Sequence, residues 1–329
     1  MPHARITGVG SYLPDTILTN ADLESMVDTS DEWIVTRTGI RERRLATPGQ
    51  TTSDLAAHAA LRALADAGLE PRDVDLLVVG TSSPDKIFPS TACITAAKIG
   101  AACPAVDVMA ACTSFVYALH HATCAIEAGR ARTVLVIGAD ALTRHVDFTD
   151  RTTCVLFGDG AGAFVVQAGD EQGVLAIDLG ADGTRGDVLE IPACGAAMPA
   201  SKEVLAQRLQ FIRMNGQEVF KFAVRVIPQS VKAALAASDL AVEEIDWLVP
   251  HQANQRILDT IADRLGLPHE RVFSNIATTG NTSAASIPLA VDALYTGRNL
   301  RPGSVVGLVG FGAGLTWGCA LVRWTKEAR

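Results

Sequence analysis

Apolar residues recur along this chain in two alternating rhythms. From Thr52 to Ala67 they return every three or four positions, the spacing of an amphipathic helix, and Gly68 ends the run. The segment DVDLLVVG (73–80) follows as a nearly unbroken apolar stretch, which predicts a strand of a buried, parallel-type sheet. The same order returns 171 residues later: LADAGLEPRDVDLLVVG (64–80) lies over LAASDLAVEEIDWLVPH (235–251), with Leu64 on Leu235, Leu69 on Leu240 and Asp75 on Asp246. More loosely, TVLVIG (133–138) matches VVGLVG (305–310), and Cys112 with its helix falls opposite Ser283 and the helix it opens. Two similar halves of helix–strand units are the simplest account, dividing the chain into 1–170 and 171–329, where GDEQG interrupts two strands. On pattern alone, a chance likeness between Leu/Ala/Asp-rich units stays open.

Punctuation predicts the remaining elements. Ile6–Tyr12 reads as a first strand, and Asn20 as the cap of a short helix through Met26. Ser30 caps a second helix, SDEWIVTRTG, that stops at Gly39 and carries Trp33 and Arg37 one turn apart. That pair is either a half-buried anchor with a solvated charge or a platform for a nucleotide base. Between Gly183 and Gly216 the chain is rich in Gly, Pro and Ala, with one helical section, Lys202 to Arg213. Long irregular segments of this kind often form lids or pocket walls.

Four stretches carry candidate chemistry. In VDVMAACTSFVYAL (106–119) a short alternating strand turns into a helix at Cys112. Unpaired N–H groups and the positive dipole end favour a thiolate there, so its pKa is expected to fall below the ordinary value of about 8.5. A small buried hydrophobe is the competing reading, because free cysteine is among the most buried residue types. In LVPHQANQRI (248–257) the strand breaks at Pro250, leaving His251 at its carboxyl end, where α/β sheets place ligands. Asn254 caps the helix that carries Arg256. Asn281 precedes a helix start in GNTSAASIP (280–288), and GFGAGLTWG (310–318) is a glycine-rich bend between the final two strands. The natural cleft of a duplicated chain lies at the join, toward which both helix starts point.

Composition narrows the function classes. The 329 residues include 28 Lys and Arg against 36 Asp and Glu, a formal net charge of −8, which argues against nucleic acid as a partner. No apolar run reaches the ~20 residues of a membrane span, and the start lacks a signal-peptide core, so a cytoplasmic protein is expected. The seven cysteines, at 93, 103, 112, 124, 154, 194 and 319, are scattered and form no C-x-x-C pair, which fits reduced thiols better than disulfides or a metal site.

Taken together, Cys112, His251, Asn281 and the last glycine loop closely resemble β-ketoacyl-acyl carrier protein synthase III. Further matching motifs run along nearly the whole chain: TSDEWIVTRTGIRERR (29–44), IFPSTAC (87–93), DRTTCVLFGDGAGA (150–163) and MNGQEVFK (214–221). The resemblance implies a thiolase-like α/β fold, five-layered α-β-α-β-α with two pseudo-symmetric halves, usually a homodimer. It implies an acyltransferase that condenses an acyl-CoA, such as acetyl-CoA, with malonyl-acyl carrier protein and decarboxylates it, starting fatty acid synthesis without metal or redox cofactor. Cys112 would carry the acyl group, and His251 and Asn281 would stabilise the enolate. The N–H groups of Cys112 and Ala313 would form the oxyanion hole, with alanine at 313 where the family commonly has glycine. Thr29, Trp33, Arg37 and Arg151 would contact the CoA nucleotide, Trp33 and Arg151 sandwiching the adenine. Gly216, Phe220, Ala253 and Asn254 would line the pantetheine tunnel, and Phe88 would close the acyl pocket across the dimer interface. Lys221 and Arg256 would receive the acidic carrier protein, but a basic pair further along reads Asp263 and Arg264, reversing one charge. A relative that primes a polyketide, quinolone or branched-chain pathway would share these groups. A thiolase would need a second cysteine, and Cys319 reads as strand interior. A non-catalytic acyl-binding subunit of the same fold would usually lack the cysteine.

Overall fold

The computed structural model describes residues 2–327. Its first sheet has five strands in the order His3–Tyr12, Gly160–Gly169, Thr133–Asp140, Leu76–Gly80 and Ala105–Val108. The second has four, in the order Trp247–Pro250, Val305–Gly312, Thr316–Arg323 and Val174–Ala181. The two correspond strand for strand, except that the counterpart of the Ala105–Val108 edge shrinks to a single parallel bridge between Leu248 and Val272.

Side chains on a strand alternate between faces, so each sheet can bury two helix layers. Val134 and Val136 face inward, with Phe115, Leu119, Ile287 and Leu294 of the two central helices, Ser114–Glu127 and Ser286–Thr296, and with Val306 and Leu308 of the second sheet. Leu135 and Ile137 face the other way, onto Leu55, Ala59 and Ala63 of the Thr52–Ala67 helix. In the second half Val309 and Phe311 turn outward to meet Phe222, Ile227 and Val231 of the Gly216–Ala237 helix. Helices, sheet, central helices, sheet and helices thus make five layers. Every residue of the Thr133–Asp140 and Val305–Gly312 strands is buried, as strands covered on both faces must be.

Several expected boundaries shift. The first helix runs Asn20–Glu24 and is capped by Thr19, not Asn20, whose amide instead reaches Asp31 and the Ile40 carbonyl. Ser30 and Gly39 do bound the Asp31–Thr38 helix. The helical section expected from Lys202 to Arg213 ends at Ala206. Arg208 takes a left-handed φ of 56° and its guanidinium pairs with Asp147, drawing the chain away from the helical path. Arg213–Met214 then pairs with Leu189–Glu190. No helix among the described residues is long and apolar enough to cross a membrane.

Candidate active site

Cys112 sits in a single 3-10 turn, Ala111–Thr113, that feeds directly into the Ser114–Glu127 helix. The turn requires a left-handed Ala111, φ 48°, a conformation that costs a residue with a side chain about 1–2 kcal/mol. Neighbouring hydroxyls hold it there. The Ser114 hydroxyl accepts from the Ala110 N–H at 2.8 Å and donates to the Ala111 carbonyl at 2.6 Å, while Thr316 donates to the Ala110 carbonyl at 2.8 Å.

The second half repeats this geometry, but in a different register from the one the sequence suggests. Ser283 has φ 51° and opens the turn Ser283–Ala285, ahead of the Ser286–Thr296 helix. Ser283 therefore corresponds to Ala111, and the counterpart of Cys112 is Ala284 rather than Ser283. The strand ends correspond in the same register, Asp140 to Gly312. Here the halves diverge chemically. The buried Asp140 carboxylate accepts the Ala284 N–H at 3.0 Å, and its other oxygen gathers Thr81, Ser82 and Ser83. On the Cys112 side the glycine leaves its N–H without a carboxylate, and a Cβ placed on Gly312 would lie only 2.6 Å from the Cys112 nitrogen. One helix start is closed by an anion; the other is kept open by a bare backbone.

The expected depression of the thiol pKa is not found. Burial pushes Cys112 up to about 12; the nearby Ser283 hydroxyl favours the thiolate, and the Asp140 charge opposes it. That hydroxyl lies near both groups without hydrogen-bonding geometry to either. A helix start lowers a thiol pKa where solvent freely reaches the sulfur, but the desolvation of a deeply buried sulfur outweighs it.

His251 stands at the end of the Trp247–Pro250 strand, as expected, with its N–H donating to the Val309 carbonyl at 2.7 Å. The ring is 1% exposed, meets the Phe311 edge at 5.4 Å between centroids, and places Nδ1 2.6 Å from the Ser286 hydroxyl. Burial lowers its pKa to about 3, so the imidazole is neutral at physiological pH. A depressed pKa contributes stability above the unfolded value of about 6.5, lost as pH falls from there to the folded value of about 3, by at most about 1.4 kcal/mol per pH unit. Urea midpoints should therefore fall between about pH 7 and pH 5, and less steeply in His251→Gln.

Asn281 follows Gly280, whose φ of 62° turns the backbone sharply. Its N–H donates to the Leu156 carbonyl and its carbonyl accepts from Gly158, both at 2.9 Å. The side-chain Oδ1 accepts the Ser283 N–H at 2.9 Å, which orients the amide and leaves its NH2 end as the donor toward the cavity. Buried Arg43 holds the chain that leads to Leu156 by donating to the Val155 carbonyl at 2.6 Å.

Cys112 lines two cavities. One, of 110 Å³, also holds His251, Asn281, Gly216, Phe220, Ala253 and Asn254. The other, of 430 Å³, is lined by Met109, Leu142, Phe157, Ile191 and Ile212, together with Ala313. The thiol thus lies between a narrow channel that carries His251 and Asn281 and a wider apolar chamber.

Among the remaining expected residues, the Arg37 and Arg151 guanidinium groups lie 5.3 and 5.7 Å from the Trp33 ring centroid. A base sandwiched by Trp33 and Arg151 would have to push that guanidinium off the indole, and from its hydrogen bond to the Asp28 carbonyl at 2.8 Å. Thr29 has a buried hydroxyl with no hydrogen-bond partner among the described residues. Asn254 caps its helix and also ties it to Arg37, donating to that carbonyl at 3.0 Å. Phe88 is 82% exposed and lines neither cavity of its own chain. Lys221 pairs with Glu218 at 2.8 Å, Arg256 lies over the Phe220 ring, and Asp263 pairs with His269 at 2.9 Å. Cys319 is fully buried in the Thr316–Arg323 strand. Sequence reading missed Asp140, Gly312 and Ser286. The alignment of TVLVIG with VVGLVG, extended by two residues in the observed register, would have paired the first two.

Two family models match the chain, the synthase III domain of 3-oxoacyl-[acyl-carrier-protein] synthases over residues 106–183 and its C-terminal domain over 235–324. A relative from Caldanaerobacter subterraneus, a beta-ketoacyl-[acyl-carrier-protein] synthase III, is 51% identical over 98% of both chains. The crystal structure of 3-oxoacyl-(acyl carrier protein) synthase III from Pseudomonas aeruginosa superposes with a TM-score of 0.92 at 45% identity, over 99% of this chain and 100% of that one. A priming β-ketosynthase of a polyketide pathway reaches 0.92 at 36% identity, over 99% of this chain and 97% of that one. The chain belongs to the β-ketoacyl-acyl carrier protein synthase III family.

Proposed function

We propose that this condensing enzyme takes an acyl group from a short acyl-CoA onto Cys112 and joins it to a malonyl unit held by acyl carrier protein. The observation that carries the reading is Cys112 at the junction of two cavities, with His251 and Asn281 along the narrow one. Sulfur attack on the acyl thioester makes a tetrahedral oxyanion, for which the Cys112 and Ala313 N–H groups are the donors, and collapse expels CoA as its thiol after proton uptake. Malonyl thioester then enters the channel and loses carbon dioxide. The electron pair passes into an enolate, whose oxygen accepts hydrogen bonds from neutral His251 and from the Asn281 amide. The enolate carbon attacks the acyl carbonyl, and collapse returns the electrons to sulfur and releases a 3-ketoacyl thioester.

On this reading Thr29, Trp33, Arg37 and Arg151 bind the CoA nucleotide, and Gly216, Phe220, Ala253 and Asn254 guide its pantetheine arm. Lys221 and Arg256 receive the carrier protein in the cytoplasm. Exposed Ile87, Phe88, Val106 and Met109, beside the open edge strand Ala105–Val108, support a homodimer in which the partner's Phe88 closes the 430 Å³ chamber. Acetyl-CoA is the simplest primer. Priming of a polyketide, quinolone or branched-chain pathway is a second reading, favoured by the likeness to the polyketide priming synthase and by Asp263 on the docking helix.

The steps can be separated. Asn281→Ala should slow decarboxylation of malonyl thioester by about 10²-fold, the scale of losing one oxyanion donor, and leave acylation of Cys112 close to wild type. Equal loss of both steps would make Asn281 a structural residue.

A further inference from the structure

His251 can act as a hydrogen-bond donor to an enolate only if its proton sits on the nitrogen facing the channel. A neutral imidazole has one N–H, and the partner of the other nitrogen decides where it lies. Here that partner is the Ser286 hydroxyl, 2.6 Å from Nδ1. The oxygen already accepts the Gln252 N–H at 3.3 Å, and it is fixed at the first residue of the Ser286–Thr296 helix. Serine is 1% exposed there, and among the described residues the hydroxyl proton has no acceptor within hydrogen-bonding distance other than Nδ1. Were Nδ1 itself protonated, the oxygen would take two donors and its own proton would be buried without a partner, the arrangement that folded proteins avoid.

We infer that Ser286 is the positioning residue for His251: its hydroxyl donates to Nδ1 and so locks the imidazole as the Nε2–H tautomer, with the remaining N–H turned toward the substrate channel. This rests on the reading of His251 as the enolate donor. It also gives the central helix of the second half a purpose. In the first half the corresponding Ser114 bonds only its own turn, to Ala110 and Ala111, whereas Ser286 has been turned to the neighbouring strand end. The same position in the repeat thus shapes the nucleophile turn on one side and the proton donor on the other.

The test is nitrogen NMR on the full chain labelled with 15N-histidine, the His251 signals assigned by their absence in His251→Gln. The wild type should show a protonated Nε2 and a bare, hydrogen-bond-accepting Nδ1. A protonated Nδ1 overturns the proposal, and this reading needs no variant at Ser286 to fold. Ser286→Ala should then shift the ring toward a mixture of tautomers and slow malonyl-thioester decarboxylation about 10- to 100-fold, with a far smaller change in Cys112 acylation. Ser286→Thr, which keeps the hydroxyl, should restore both the Nε2–H signal and the rate. An unchanged tautomer in a folded Ser286→Ala chain also overturns the proposal. By contrast, an Nε2–H ring in a protein whose His251→Gln variant decarboxylates normally would support the tautomer lock while removing the assumed role of the histidine.

Discussion

Cys112→Ser is expected to lower acyl transfer by on the order of 10⁴-fold or more, because the reaction loses its covalent intermediate. An alcohol is far less acidic than a thiol, and burial that pushes the thiol itself up to about 12 would hold a serine hydroxyl fully protonated. The substitution removes little else. Serine is nearly isosteric, the 3-10 turn is held by Ser114 and Thr316 rather than by the residue at 112, and thermal stability should stay close to wild type. The assay is transfer of radiolabel from acyl-CoA to protein, followed by overall condensation. The same burial predicts how the native thiol behaves: alkylation by iodoacetamide should rise continuously from about pH 6 to pH 9, without the plateau of an activated thiolate. A plateau near neutrality would show that the helix start outweighs desolvation.

Gly312→Ala is the second large effect, expected at about 10²- to 10³-fold in the acylation rate, the range for loss of an oxyanion donor. The added methyl would sit 2.6 Å from the Cys112 nitrogen and 3.1 Å from the Ala111 side chain, in the space an oxyanion needs in front of that N–H. Backbone on both sides is held by sheet pairing to Thr316 and by the nucleophile turn, so relief by movement is small. The matching change in the other half tests the pseudo-symmetry. Asp140→Asn keeps most of the bonds to Thr81, Ser82 and Ser83 but removes the charge, and should loosen the start of the Ser286 helix while relieving the charge that opposes the thiolate. Acylation should then survive far better than in Gly312→Ala; equal losses would mean that both substitutions merely disturb packing.

Much of this site was legible because each candidate residue marks the end of an element. Cys112 begins a helix after a strand, His251 follows a strand-ending proline, and Asn281 precedes a glycine-bounded helix start; chain order alone shows such junctions. The family likeness then joined residues that periodicity could not. What escaped depends on contacts between distant segments. A register difference of one residue between the halves, 171 for one part of the repeat and 172 for another, is invisible in apolar spacing, yet it decides whether Ser283 or Ala284 answers to Cys112. The thiol pKa failed for the same reason: a helix start is local, but the walls that desolvate the sulfur come from both halves. The Lys202 helix stops early because Arg208 finds Asp147 some sixty positions away. Ser286 looked like one more small residue of SIPLAV until the strand carrying His251 was packed against it.

On the proposed reaction the acyl group rests on Cys112 and is consumed by a malonyl-derived enolate made in the adjoining channel. Intact-mass and peptide mapping of the native chain, first with acetyl-CoA alone and then after a chase with malonyl-acyl carrier protein, follows that acyl group through both steps. One acyl group should appear on the Cys112 peptide, and the chase should remove it as a 3-ketoacyl thioester with release of carbon dioxide. Label on another residue, or an acyl-Cys112 that persists through the chase while carbon dioxide is released, would rule that sequence of steps out.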